Sequence, residues 1–318
     1  MTFFSPLKNV RLAGVFLLLA SSALLLLSGC AAPPKLSAAA KARLPNQSFV
    51  TGVPFYSQQD YQCGPASLAM ALGASGQSVS VDTLIPQVFL PGREGSVQPE
   101  MLAAVRRHQR ISFTLDGSFD ALLTEVEAGN PVVVLQNLGL SFAPLWHYAV
   151  VIGFDQARQQ LLLHSGEHSR QVTSMSRFNA TWARSQHWAM VALAPGEFPA
   201  SVTPSHAADA VSAYEQAAGS QAALPAWQAF TQQWPDNALG WFALGNALHA
   251  EQDYDAAANA FNQATLVDAS LAPAWLNLGL TQQGLGQMAN AQKSLRHAAA
   301  LPGKWQTQAQ QALANIEL

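Results

Sequence analysis

The chain has 318 residues, of which 49% are hydrophobic and 11% charged, with a formal net charge of −3. That apolar content is ample for packed cores and excludes disorder along the whole chain. The slightly acidic balance, with no basic patch interleaved with aromatics, leaves nucleic-acid binding without an electrostatic footprint.

The first element is a leader. Lys8 and Arg11 flank the start of an uncharged run, Leu12 to Leu27, dominated by Leu, Ala, Val and Phe. Sixteen residues is long for a secretory apolar region and short for a membrane span. The run closes on Leu27-Ser28-Gly29-Cys30, with two small residues directly before the cysteine. This resembles the lipobox of bacterial lipoproteins, where a peptidase cuts before a cysteine that already carries lipid. The resemblance implies a signal peptide over residues 1–29 and Cys30 as an acylated mature N-terminus. Several acyl chains anchor stably where one binds only marginally. Ala31 follows, with no Asp there, which in lipoproteins of Gram-negative type implies the outer membrane, facing the periplasm. Residues 30–47, rich in Ala and holding Pro33 and Pro34, read as a tether.

Residues 48–199 read as the first globular domain. Phe49 to Phe55 is extended. Pro65 suits the first turn of a helix starting near Cys63, continued by Ala66 to Leu72 and broken by Gly73 to Gly76. Ser80 caps a helix over Val81 to Phe89, and another spans Gln98 to His108, acidic at its start and basic at its end. Ile111 to Leu115 is a strand. Ser118 caps Phe119 to Ala128, which Gly129 stops. Extended apolar runs follow at Val132–Gln136, His147–Gly153, Gln160–His164 and His187–Leu193. Helices first and strands later predict an α+β domain with an antiparallel sheet. Trp182 and Trp188 read as core.

The second of only two cysteines, Cys63, stands at that predicted helix start. With Cys30 acylated, neither can join an intramolecular disulfide. A thiol attacks as thiolate, and a helix N-terminus and a nearby imidazolium both favour that form. His147, at a predicted strand start far along the chain, is the candidate base. A glutamine shortly before Cys63 is a candidate oxyanion donor together with the Cys63 N–H. Gln58, Gln59 and Gln62 all fit, and spacing does not choose among them. His164 and His168 lie four apart, but Gly166 between them breaks the helix that such a metal pair requires, so neither metal nor cofactor is expected.

The segments Val53-Pro54-Phe55-Tyr56-Ser57-Gln58 and Tyr61-Gln62-Cys63-Gly64-Pro65-Ala66-Ser67-Leu68-Ala69-Met70 resemble the nucleophile region of bacteriocin-processing (double-glycine leader) cysteine peptidases and their stand-alone relatives. His147-Tyr148-Ala149-Val150-Val151-Ile152-Gly153-Phe154-Asp155 resembles their histidine strand. The resemblance covers residues 48–195 and implies a papain-like fold, Cys63 as nucleophile, His147 as general base and acid, and Gln58 as oxyanion donor. One departure stands out. The family carries an Asp-Pro after the next strand, whose Asp orients the histidine, and here the stretch is Leu161-Leu162-Leu163-His164-Ser165-Gly166. His164, Ser165 and Asp155 are the remaining candidates, with Asp155 also fitting a turn between two strands.

Residues 204–318 repeat. Trp241 and Trp275 are 34 residues apart, the tetratricopeptide period. Leu244-Gly245 recurs as Leu278-Gly279, Ala257 as Ala291, Phe261 as Leu295 and Ala264 as Ala298. Tyr214, Ala223, Trp227 and Pro235 mark a degraded earlier copy. The repeats are 204–237, 238–271 and 272–305, followed by a capping helix, and such stacks present a groove for peptides or partner proteins. The expected protein is a lipid-anchored cysteine peptidase of the cell envelope, its papain-like domain tethered to an all-α repeat domain that recruits a peptide or protein substrate or a partner. The alternative is a peptidase-like binding module without turnover that scaffolds an envelope complex.

Overall fold

The structure, a computed structural model, describes residues 34–57, 62–93 and 95–316. Cys30, Gln58 and Gln59 lie outside these. The described chain opens with α1 (Ala38–Arg43), capped by Ser37, and β1 (Gln47–Phe49). α2 (Cys63–Ala74) is buried without interruption from Gly64 to Leu72. A helix apolar on every side belongs at the centre of a domain. α3 (Val81–Val88) starts at Ser80, whose hydroxyl accepts from Thr83 N. The hairpin of β2 (Phe89–Leu90) and β3 (Gly95–Ser96) leads into α4 (Gln98–Arg107), with Pro99 in its first turn. β4 (Ile111–Thr114) precedes α5 (Phe119–Glu127), whose Ser118 cap accepts from Ala121 N at 3.0 Å. Then come β5 (Val132–Asn137), β6 (Trp146–Asp155), β7 (Gln160–Ser165), β8 (His168–Ser174), α6 (Met175–Trp182) and β9 (Ala189–Leu193).

Apart from the separate β2–β3 pair, the described strands form one antiparallel sheet in the order β4-β9-β5-β6-β7-β8, with β1 alongside the end of β6. β5 and β9 are wholly buried because both faces are covered. On one face α2, α3 and α4 pack on Val133, Leu135, Tyr148, Val150, Ile152 and Met190. On the other, α5 and α6 pack on Val132, Val134, Ala149, Val151, Leu161 and Leu163. β8 and α6 are absent from the sequence reading. β8 is almost entirely exposed and polar, so it pairs through its backbone on β7 and leaves no apolar alternation to detect.

Two expectations are corrected. Residues 30–47 read as a tether, yet within the described part Leu36, Ala40 and Leu44 are buried in the main core. The segment is pinned along α5: Ser37 N donates to the Asp120 carboxylate and Arg43 to Thr124 Oγ1. The repeats, too, are not tethered but fused. α7 (Pro204–Ala218) lies against β4, and Ala207, Val211, Tyr214 and Phe230 share one core with Ile111, Phe113, Val191 and Leu193. Phe198 bridges the two, 6.0 Å from the Phe113 ring and 5.0 Å from Trp234. Fully buried Glu125 accepts from Ser201 N, Ser201 Oγ and Asn130 Nδ2 at 2.8–2.9 Å, which satisfies a carboxylate that burial would otherwise penalise.

α7 pairs with α8 (Ser220–Gln233) across Gly219 alone, at φ +90°. The next pairs, α9 (Ala238–Ala250) with α10 (Tyr254–Val267) and α11 (Ala272–Gly284) with α12 (Met288–Ala300), have three-residue turns. α13 (Gln306–Ile316) covers the last pair. The period is written in the bonds: Trp241 Nε1 donates to Pro235 O at 2.8 Å and Trp275 Nε1 to Ala269 O at 3.0 Å. A Cβ on Gly245 would overlap the Phe261 ring, and one on Gly279 would overlap Leu295, so glycine is what lets the paired helices touch.

Candidate active site

Cys63 is the first residue of α2 and is half-buried. Backbone N–H groups of Tyr148, Gly64 and Cys63 itself favour the thiolate, but burial outweighs them and pushes the thiol above its ordinary value. His147, second residue of β6, is driven the opposite way: burial disfavours the imidazolium and lowers its pKa. Its Nε2 lies 2.9 Å from Ser165 Oγ at the end of β7. That bond engages Nε2, one of the two ring nitrogens. Cys63 and His147 line one open cleft of about 1360 Å³, with Ser96, Asp116, Leu145 and Trp188 among its walls. Tyr148 lines the same cleft, and its hydroxyl is pushed well up by burial first and by the charge Cys63 would carry as thiolate second.

The sequence candidates separate clearly. Of the three residues named for orienting His147, Ser165 makes the bond. Asp155 sits at the opposite end of β6, where it accepts from Gln47 Nε2 at 2.7 Å and Arg158 N at 2.8 Å, the turn role. His164 faces Phe55, with ring centroids 5.2 Å apart, and its Nδ1 accepts from Arg170 N. Burial is the main cause that lowers its pKa. Gln62 immediately precedes α2 without a side-chain capping bond. Gln58, Gln59 and Cys30 lie outside the described residues. Trp182 is fully buried, as expected, and its Nε1 donates to Trp188 O. Trp188 departs from the core reading: it is half-buried in the cleft wall, edge-on to Tyr148 at 5.8 Å.

Two features of the cleft escaped the sequence reading. Ser96 closes over the start of α2, so that a Cβ on Gly64 would collide with its hydroxyl; the Oγ itself is buried with no hydrogen-bond partner among the described residues. The connection from Leu138 to Trp146 forms an apolar rim. Its signal was available as nine uncharged residues between two strand runs. A smaller groove of about 450 Å³, between β1 and the β6–β8 edge, contains neither Cys63 nor His147.

Fold and cleft together define a two-part protein: an α+β, papain-like domain whose cleft carries a cysteine and a histidine, followed by stacked helical hairpins. Residues 50–190 match the Peptidase_C39 like family, and residues 238–270 and 272–303 match the tetratricopeptide repeat. The chain thus carries a Peptidase_C39-like domain followed by tetratricopeptide repeats. No curated protein matches it. Among solved structures, the translocator chaperone SycD of Yersinia enterocolitica is 17% identical over 36% of this chain and 82% of its own, with a TM-score of 0.34. The TPR2B domain of yeast Sti1 in its pHsp70 complex is 18% identical over 36% and 95%, with a TM-score of 0.34. The second TPR domain of human RPAP3, with an HSP70 peptide, is 22% identical over 36% and 99%, with a TM-score of 0.33.

Proposed function

We propose that the chain is a lipid-anchored cysteine peptidase that hydrolyses peptide bonds, with the repeats recruiting a peptide or protein. The observation that carries this reading is the cleft shared by a helix-start thiol and an imidazole already held through one nitrogen by Ser165. Because burial favours the neutral form of both groups, attack is general-base assisted and does not start from a standing ion pair. Sγ bonds to the substrate carbonyl carbon while the thiol proton passes to His147 Nδ1. The carbonyl oxygen takes the electron pair, facing the N–H groups at the start of α2 and, by resemblance, Gln58. Collapse breaks the C–N bond, and His147 returns its proton to the departing amine. Water, deprotonated by His147, then releases the acid and restores the thiol. Cys30 acylation would hold this domain at the envelope membrane, in the outer membrane facing the periplasm by the residues after the lipobox.

The test is a peptide library incubated with the chain and its Cys63→Ala variant, with products read by mass spectrometry. Cleavage by the wild type that the substitution abolishes is the expected result. Cleavage unchanged in the variant overturns the assignment. A second reading, a binding module without turnover, is favoured by the serine where the resemblance expects a carboxylate, since an imidazolium there gains no counter-charge. Alkylation of Cys63 at pH 7.5 separates the two. A His147→Ala variant that reacts at least ten-fold more slowly supports the peptidase, and one that reacts equally fast supports the module.

A further inference from the structure

The β5–β6 connection forms an apolar hairpin on the rim of the cleft. No residue from Leu138 to Trp146 is charged. Leu138, Leu140, Phe142, Leu145 and Trp146 are 48, 55, 86, 62 and 49% exposed. A cluster of this kind marks a surface that something covers. The hairpin is also built. Leu138 N donates to Leu145 O at 2.8 Å, and Leu140 and Ala143 exchange backbone bonds at 3.1 Å. Asn137 Oδ1 accepts from Gly139 N and Leu145 N, both at 2.9 Å. Arg184 donates from behind to the carbonyls of Asn137 and Gly139. A fixed scaffold therefore holds Phe142 outermost.

The hairpin's place relative to the leader identifies what covers it. Leu115 N bonds to Ala189 O and Leu135 N to Trp188 O, so β4 and β5 end at the same side of the sheet. Asp116 and Gly117, just past β4, line the cleft together with Leu138 and Leu145. A few residues on, the Asp120 carboxylate holds Ser37 N at 3.0 Å. Cys30 lies seven residues before Ser37. A chain spans at most about 3.6 Å per residue, so acyl groups on Cys30 hold a bilayer within about 25 Å of Ser37. That is the end of the molecule from which the hairpin projects.

We propose that the hairpin Leu138–Trp146 docks into the interfacial layer of the lipid bilayer, with Phe142 innermost and Trp146 at headgroup level. The inference rests on the reading of Cys30 as the lipid anchor. The cleft then opens at the membrane surface, and its substrate is a peptide segment presented there, not one free in bulk solution.

The experiment uses the full chain after maturation, in a Cys63→Ala background, in vesicles of phosphatidylethanolamine and phosphatidylglycerol. A Phe142→Cys variant carries an environment-sensitive fluorophore. A Leu266→Cys variant, labelled at a residue 70% exposed on the repeats, is the reference. Intact mass reads the anchor separately: a chain without acyl groups on Cys30 overturns the anchor reading and this proposal with it. With Cys30 acylated, the expected result is at least five-fold stronger quenching of the label at 142 than at 266 by doxyl-labelled lipid, and weaker quenching by aqueous iodide. A label at 142 that iodide reaches as readily as the one at 266 overturns the proposal and leaves the anchor standing. So does a label shielded from both quenchers, which assigns the hairpin to a protein contact.

Discussion

Among the described residues His147 has one side-chain hydrogen bond, to Ser165, and in the proposed peptidase mechanism its efficiency depends on which ring nitrogen is free and where it points. Ser165→Ala is expected to lower kcat about 10- to 100-fold with little change in KM, because it removes orientation and not substrate contact. Ser165→Asp should retain activity and move the acid limb of the pH–rate profile upward, since a carboxylate beside the ring favours the imidazolium. In the wild type the signs are set by burial. His147 is lowered from about 6.5, so activity persists at pH 6.5 and falls only below it. Cys63 is raised from 9.0, so no loss is expected from that group until pH exceeds 9. Linkage follows the same signs. The stability contributed by neutral His147 is present above pH 6.5 and lost as pH falls through its folded value, whereas that from neutral Cys63 is present below pH 9 and lost above. A Ser165→Ala enzyme with unaltered kcat and pH profile would remove Ser165 from the mechanism.

At the scale of the element, the start of α2 is positioned by contact with β3 as well as by its own sequence. Gly64 has no Cβ because Ser96 occupies that space. Gly64→Ala should cost about 1–3 kcal/mol and displace Cys63, the proposed nucleophile, so that on the peptidase reading activity falls more than stability. Adding Ser96→Gly empties the colliding volume and should restore much of both, measured by chemical denaturation and peptide cleavage. Failure of the double variant to recover would mean that the helix start is held by something other than this contact. The same logic explains which elements were legible. α3 and α5 announce themselves through Ser80 and Ser118 caps and apolar periodicity, and β5 and β9 through continuous apolar runs. β8 pairs by backbone alone and carries a solvated surface sequence, so nothing in its side chains distinguishes it from a loop.

For the molecule as a whole, the junction matters more than either part. Phe198 touches Phe113 of the sheet and Phe230 and Trp234 of the first helical pair, so the α+β domain and the first repeat share a core. Phe198→Ala is expected to cost about 2–4 kcal/mol and to lower the unfolding midpoints of both parts together. Helical signal at the repeats that melts unchanged while the α+β domain is destabilised would show that the junction is not a common core. Fusion also limits how far the repeats swing relative to the cleft, so whatever the repeats hold is presented at a fixed orientation. Because the family match to the tetratricopeptide repeat begins at 238, the pair α7–α8 stands outside it, and its buried Val211, Tyr214 and Trp227 serve the junction.

The linear sequence by itself determined the α+β order, the helix caps and the 34-residue period, because each is encoded by residues close along the chain or repeated at a fixed spacing, and it singled out Cys63 and His147 as the candidate pair. It left three residues competing to orient His147, and it read residues 30–47 as slack and Trp188 as core. Only tertiary structure decided those points: Ser165 reaches the imidazole because β6 and β7 are paired, Leu36 and Ala40 are buried because α5 lies beneath them, and Trp188 faces the cleft because β9 begins at its wall. The physical reason is common to all three. Burial and hydrogen-bond partnership are properties of residues distant in the chain brought together by folding, and no local pattern of side chains specifies which distant neighbour will arrive.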